Sequence, residues 1–143
     1  MKPTPRHISL FFLRIALGGL FLYAGISKIL DPSWTAKSFL NAAQTFHGFY
    51  TWLASPALLP VIDFVNEWAL ALLGLSLLLG IFVRLSSTLG AVLMLLYYFP
   101  GLSFPYLEHG FLIDDHIIYV FALLYVGIAR SGRIWGIDAL RKK

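Results

Sequence analysis

At 143 residues, with 59% hydrophobic and 13% charged residues and a mean hydropathy of +0.78, the chain departs from soluble domains, which run nearer half apolar and a quarter charged. The net charge of +4 does not point to nucleic acid, because the basic residues stand at the ends of apolar segments and not in an aromatic-interleaved patch. The absence of cysteine excludes disulfides, thiolate zinc, iron–sulfur ligation and c-type haem attachment in this chain.

Residues 1–6 followed by an apolar run resemble a signal peptide, yet Arg14 interrupts the run and no small-residue cleavage site follows. A retained span over 8–30 is expected. Arg14, Gly18, Phe21, Gly25 and Lys28 fall within about 80° on that helix, so one side faces protein, a cavity or a ligand while Leu17 and Leu20 can face acyl chains. In the loop over 33–57, Phe39, Ala42, Ala43, Phe46, Tyr50 and Leu53 recur at helical spacing between Trp34 and Trp52. This pattern predicts an amphipathic helix lying at the interface.

Further apolar segments cover 58–83, 86–100 and 111–130. With about 20 apolar residues per span, the chain is expected to be one all-α integral membrane domain over 1–143, a bundle of four transmembrane helices. The third segment is short and ends at Pro100-Gly101, which should break the helix, with Tyr97 and Tyr98 at the interface. Lys2 and Arg6, Arg84, and Arg130, Arg133, Arg141, Lys142 and Lys143 flank the spans on one side. The opposite loops hold Asp31, Lys37, Asp63, Glu108, Asp114 and Asp115 and are poorer in positive charge, so both termini are expected to be cytoplasmic, in a multi-pass protein of the plasma (inner) membrane. No internal repeat stands out.

Glu67 heads a stripe with Ala71, Gly74, Leu78 and Ile81, and His116 heads another with Val120, Leu123, Gly127 and Arg130. Lys28, Glu67 and His116 can share one depth near the outer face, whereas Arg14 lies ~21 Å from Lys28 along its helix, nearer phosphate head groups or carbonyls. A carboxylate, an imidazole and an ammonium at one depth could bind and protonate a quinone head group, with Trp68, Tyr119 and Phe64 as walls. The same three groups could instead only satisfy one another and fix helix packing. Haem is disfavoured because only His116 lies within a span. Asp114, Asp115 and His116 are weak metal candidates, since adjacent helical residues diverge, and no metal site is expected; Asp114 reads as a helix cap.

The order Leu13-Arg14-Ile15, Gly18, Phe21, Gly25, Lys28, Asp31-Pro32, then Glu67, Gly74, Leu78-Leu79-Gly80 and Arg84, with Asp115-His116 and Ser131-Gly132-Arg133 to Asp138, resembles the DoxX/DoxD-like membrane proteins. The resemblance implies a four-helix bundle related to the small membrane subunit of thiosulfate:quinone oxidoreductase, which passes electrons from thiosulfate to quinone and yields tetrathionate. Carried onto this chain, it makes Glu67, His116 and Lys28 the quinone-facing candidates, with Trp68 and Tyr119 beside them. Arg14, Gly18, Gly25 and Gly74 would be structural or head-group residues. A second redox subunit would supply electrons, since no metal or flavin motif is visible; membrane lipids are the other expected partners, and a homo-oligomer is left open. The competing reading is a non-enzymatic carrier of small solutes or lipids, or a membrane assembly factor.

Overall fold

The first helix begins where the sequence supplies a cap. Thr4 Oγ1 accepts from the His7 N–H at 3.4 Å and His7 Nδ1 accepts from the Thr4 N–H at 3.4 Å, with Pro5 in the first turn, where a missing N–H costs little. The computed structural model describes residues 4–141 and continues this helix, α1, over Pro5–Ile29. Lys2, Lys142 and Lys143, three of the topology signals, lie outside the described residues. Two short helices follow, α2 (Lys37–Asn41) and α3 (His47–Leu53), then α4 (Leu59–Leu79) and α5 (Val83–Gly101). A hairpin of β1 (Tyr106–Leu107) against β2 (Gly110–Phe111) precedes α6 (Asp115–Ile128). Beyond α6 come two 3-10 turns, Ser131–Arg133 and Ile137–Ala139.

Helices α1, α4 and α5 are long and apolar enough to cross a membrane, reaching roughly 37, 31 and 28 Å against a hydrocarbon core of ~30 Å. Helix α6, with 14 residues, reaches only about 21 Å. The segment expected over 111–130 is therefore shorter than its hydropathy suggests. Phe111 pairs in the hairpin, and Asp114 Oδ1 accepts from the Ile117 N–H at 3.2 Å, which starts the helix at Asp115. The third segment is longer than 86–100, because Gly80 (φ 67°) ends α4 in the left-handed conformation and Phe82 (φ 50°) turns the chain straight into α5. Apolar side chains such as Phe12, Leu72, Leu89, Phe121 and Ile128 stay exposed on the outer faces, as suits lipid contact. Leu17, Phe21, Leu70, Leu77, Met94, Leu123 and Val126 form the core between the helices.

The tightest packing joins α1 to α4. A Cβ on Gly25 would lie 2.3 Å from the Ala71 nitrogen, and one on Gly74 2.2 Å from the Leu22 nitrogen and 2.7 Å from the Gly18 oxygen. Here backbone meets backbone, which only residues without a side chain permit. Gly19, on the other face of α1, has nothing within 4 Å.

Arg14 is fully buried, at 0% exposure. Its Nη1 donates to the Ser131 and Ile134 carbonyls, the latter at 3.0 Å, and its Nη2 to the Trp135 carbonyl at 3.4 Å. Phe11 lies under the guanidinium, 5.4 Å from Cζ. The chain beyond α6 is thus fastened to α1, and it returns the favour to α5: the Asp138 carboxylate accepts from the Phe82 and Val83 N–H groups at 2.9 and 3.0 Å, and the Asp138 N–H donates to the Gly80 carbonyl at 2.8 Å. Two free donors at the start of α5 and one free acceptor in the turn before it are thus answered by a single residue 55 or more positions away.

The loop over 33–57 forms two short helices where one amphipathic helix was expected. Ala43 and Tyr50 are buried with Ala36, Leu40 and Ala54 in a second core, while Phe39 and Phe46 of the same expected stripe are exposed. The break over 42–46 has a cause in α5. Pro100 lies within the last turn of α5 and offers no N–H to the Leu96 carbonyl; the Tyr50 hydroxyl donates to that carbonyl at 2.9 Å. The Gln44 N–H donates to the Pro100 carbonyl at 3.0 Å and the Thr45 hydroxyl to the Leu102 carbonyl at 2.6 Å. Burial holds the Tyr50 phenol above its ordinary pKa, so it stays a donor.

Gly25→Ala should destabilise the protein by about 1–3 kcal/mol through overpacking, whereas Gly19→Ala should be neutral or stabilise by about 0.5–1 kcal/mol; thermal unfolding in detergent compares the two. Arg14→Met leaves three carbonyls without their donor and should cost about 3 kcal/mol, with hydrogen exchange accelerated over residues 131–139 first. Tyr50→Phe should cost about 1–3 kcal/mol and loosen 42–54 without altering α1 or α4, read by the same exchange measurement.

Candidate functional site

At the end of α1 remote from Arg14, Lys28 lies one residue before the helix terminus. Its Nζ stands 5.0 Å from the Trp34 ring centroid and 5.5 Å from that of Tyr97, two aromatic faces that hold a cation without neutralising it. The turn after α1 positions Trp34. The Asp31 carboxylate accepts from the Ser33 hydroxyl at 2.6 Å and its N–H at 3.0 Å, bonds that hold its pKa below the ordinary carboxylate value. Asp63, in the second turn of α4, accepts from the Thr35 hydroxyl at 2.7 Å and the Ala36 N–H at 2.9 Å, and so ties this segment to the bundle.

From α5, the Tyr97 hydroxyl donates to Asn66 Oδ1 of α4 at 2.7 Å. From α6, the His116 ring stands edge-on to Tyr97 with centroids 6.0 Å apart. His116 Nδ1 lies 2.7 Å from Asp114 Oδ2 and 3.3 Å from Asp115 Oδ1. Pairing with a carboxylate makes Nδ1 the protonated nitrogen and leaves Nε2 to meet a ligand. Lys28, Trp34, Thr35, Ala36, Phe39, Asn66, Tyr97 and His116 enclose a cavity of about 300 Å³.

A second space of about 130 Å³ adjoins it across Ala36, Phe39, Asn66 and Tyr97 and is otherwise walled by aliphatic and aromatic carbon, including Leu40, Leu53, Ile62, Val65, Leu93 and Leu96. Polar groups stand in the wall of the first compartment, and the second is almost wholly apolar. The Lys28 ammonium and the Asn66 amide N–H groups are donors available to a ligand carbonyl, and His116 adds a ring nitrogen.

Of the residues singled out from sequence, Lys28 and His116 meet at this cavity. Glu67 does not line it: the residue is half-buried beside Asn66 on α4 and makes no ion pair with Lys28. Among the described residues the only side-chain ion pairs are those of His116 with Asp114 and Asp115. Trp68 and Phe64 form an exposed aromatic pair 6.1 Å apart on the outside of α4, and Tyr119 packs against the main core. Gly18, Gly25 and Gly74 lie at the α1–α4 crossing and Arg14 at the far end. Asp114, Asp115 and His116 bring ligand atoms within 4.8 Å of one another, but Asp114 Oδ1 caps α6.

Asn66, Tyr97 and Trp34 are the functional candidates that sequence reasoning missed. A signal existed for Asn66: the buried positions Asn66, Leu70, Leu73 and Leu77 of α4 run at steps of four and three, a stripe displaced by one residue from that headed by Glu67. Nothing local marked Tyr97, whose tandem neighbour Tyr98 made the pair resemble an interfacial belt.

No curated protein and no solved structure matches the chain. The DoxX family model matches residues 9–100, a stretch that begins in α1, ends in α5 and includes Lys28, Trp34, Asn66 and Tyr97. With more than half its length matched and three apolar helices able to cross a bilayer, the chain belongs to the DoxX family and is a membrane protein.

Proposed function

We propose that the protein is the membrane subunit of a quinone-linked oxidoreductase of the thiosulfate:quinone type, within the DoxD-like branch of its family, and that it receives a quinone head group between Lys28, Asn66, Tyr97 and His116. The observation that carries this reading is the junction of the two compartments. A cavity of about 300 Å³ with polar groups at its wall adjoins one lined by Leu40, Ile62 and Leu93, which suits a ligand with a polar ring and an apolar tail. Its volume is at the lower end of small-molecule sites, roughly 300–1,000 Å³.

A bound quinone would supply an acceptor for two electrons and two protons, with electrons delivered by a partner subunit. The residues of this chain bind and orient. Lys28 Nζ and the Asn66 amide donate to a carbonyl, Tyr97 fixes Asn66 through its hydroxyl, and His116 turns Nε2 to the ligand while Asp114 fixes its ring. In the topology we favour, α6 makes a fourth crossing with the help of the hairpin and the 3-10 turns, α2 and α3 lie at the outer interface of the plasma (inner) membrane, and both termini are cytoplasmic.

Protein purified with native lipids should retain quinone detectable by mass spectrometry. Lys28→Met and His116→Ala should lower occupancy about tenfold, the effect of losing one charge-assisted hydrogen bond, while Trp68→Phe on the exposed face should not. Unchanged occupancy in both cavity variants, with folding intact, would sink the assignment.

A further inference from the structure

At the opposite end of the bundle, the turn between α4 and α5 and the chain beyond α6 enclose a cavity of about 400 Å³. We infer that this cavity binds a phosphoryl group, carried by an anionic phospholipid. Four arginines line it from three stretches of chain: Arg84 in the first turn of α5, Arg130 and Arg133 at the start and end of the first 3-10 turn, and Arg141 near the end of the described residues. A planar guanidinium matches phosphate oxygens in paired hydrogen bonds, and the four, exposed around one open space, concentrate positive charge where an anion would be held.

The single carboxylate in the wall is already engaged. Asp138 accepts from the Phe82 and Val83 N–H groups at 2.9 and 3.0 Å, and among the described residues none of the four arginines pairs with a carboxylate. Two features hold the cluster in place. Arg130 adopts φ 50°, a conformation uncommon for a residue with a side chain, and the Arg141 guanidinium lies 4.2 Å over the Phe82 ring. Topology alone would need basic residues at this end but not their convergence on one cavity.

A neighbouring cavity of about 450 Å³ shares Arg133 and is walled mainly by carbon, from Leu79, Ile134, Trp135, Ile137 and Leu140. Phosphate binding and acyl-chain space thus adjoin, which favours a lipid over free phosphate. The inference is independent of the quinone reading, since no residue is shared between the two sites.

The test is native mass spectrometry of the detergent-purified protein with phosphatidylglycerol or phosphatidylcholine of identical acyl chains. The wild type should retain phosphatidylglycerol selectively; Arg84→Gln and Arg133→Gln should each weaken retention about fivefold, and Arg141→Gln provides a second route should either misfold by size-exclusion profile. Arg6→Gln removes the same charge from the exposed first turn of α1, outside the cavity, and should change nothing. Displacement of the lipid by millimolar inorganic phosphate, with the same dependence on Arg133, would uphold the phosphoryl site and assign it to a soluble ligand. Equal retention of both lipids, or a loss with Arg6→Gln as large as with Arg133→Gln, would overturn it.

Discussion

The backbone contact between α1 and α4 sets the position of everything else. Gly25 against Ala71, and Gly18 and Leu22 against Gly74, admit a single register, because a slide of one residue would drive a side chain into main chain. That register brings the two ends of α1 to two different neighbours. At one end Lys28 comes level with Asn66 through Tyr97. At the other Arg14 comes beside Gly80, where a Cβ would stand 3.1 Å from its Cζ. The glycines of the stripe are therefore the means by which both cations are placed, although none of them lines either cavity.

A second constraint is the satisfaction of backbone groups where water is scarce. Helix ends and prolines leave carbonyls without donors, and this chain answers them with side chains from distant segments. Tyr50 replaces the N–H that Pro100 lacks, and Arg14 gathers the Ser131, Ile134 and Trp135 carbonyls. Asp138 performs the inverse service for the N–H groups of Phe82 and Val83. These long-range bonds explain why α2, α3 and the 3-10 turns, each too short to hold its own structure, keep definite positions.

The same constraint marks what could be read from the residues alone. Long apolar runs made α1 and α4 legible, and the 100° spacing of Arg14, Gly18, Gly25 and Lys28 identified the inward face of α1, because local periodicity decides both. The start of α6 was not legible, since the apolar residues Phe111, Leu112 and Ile113 continue its pattern, and only the hairpin and the Asp114 cap remove them from the helix. Nor was the broken form of the first loop, which depends on a carbonyl in α5. Glu67 drew notice as a charge within a span, yet the adjacent Asn66 meets Tyr97. A step of one residue rotates a helix by 100°, a difference that composition does not resolve but that the α1–α4 register does.

Two cations on one helical face thus end in different chemical conditions. The guanidinium of Arg14 is committed to three carbonyls within its own chain and has become part of the scaffold. The ammonium of Lys28 is held by the faces of Trp34 and Tyr97, contacts that act on its charge and leave its N–H donors unspent. A carboxylate in direct contact would have occupied those donors; among the described residues Lys28 makes no such ion pair. Lys28, not Arg14, is accordingly the cation of this stripe equipped to engage a ligand.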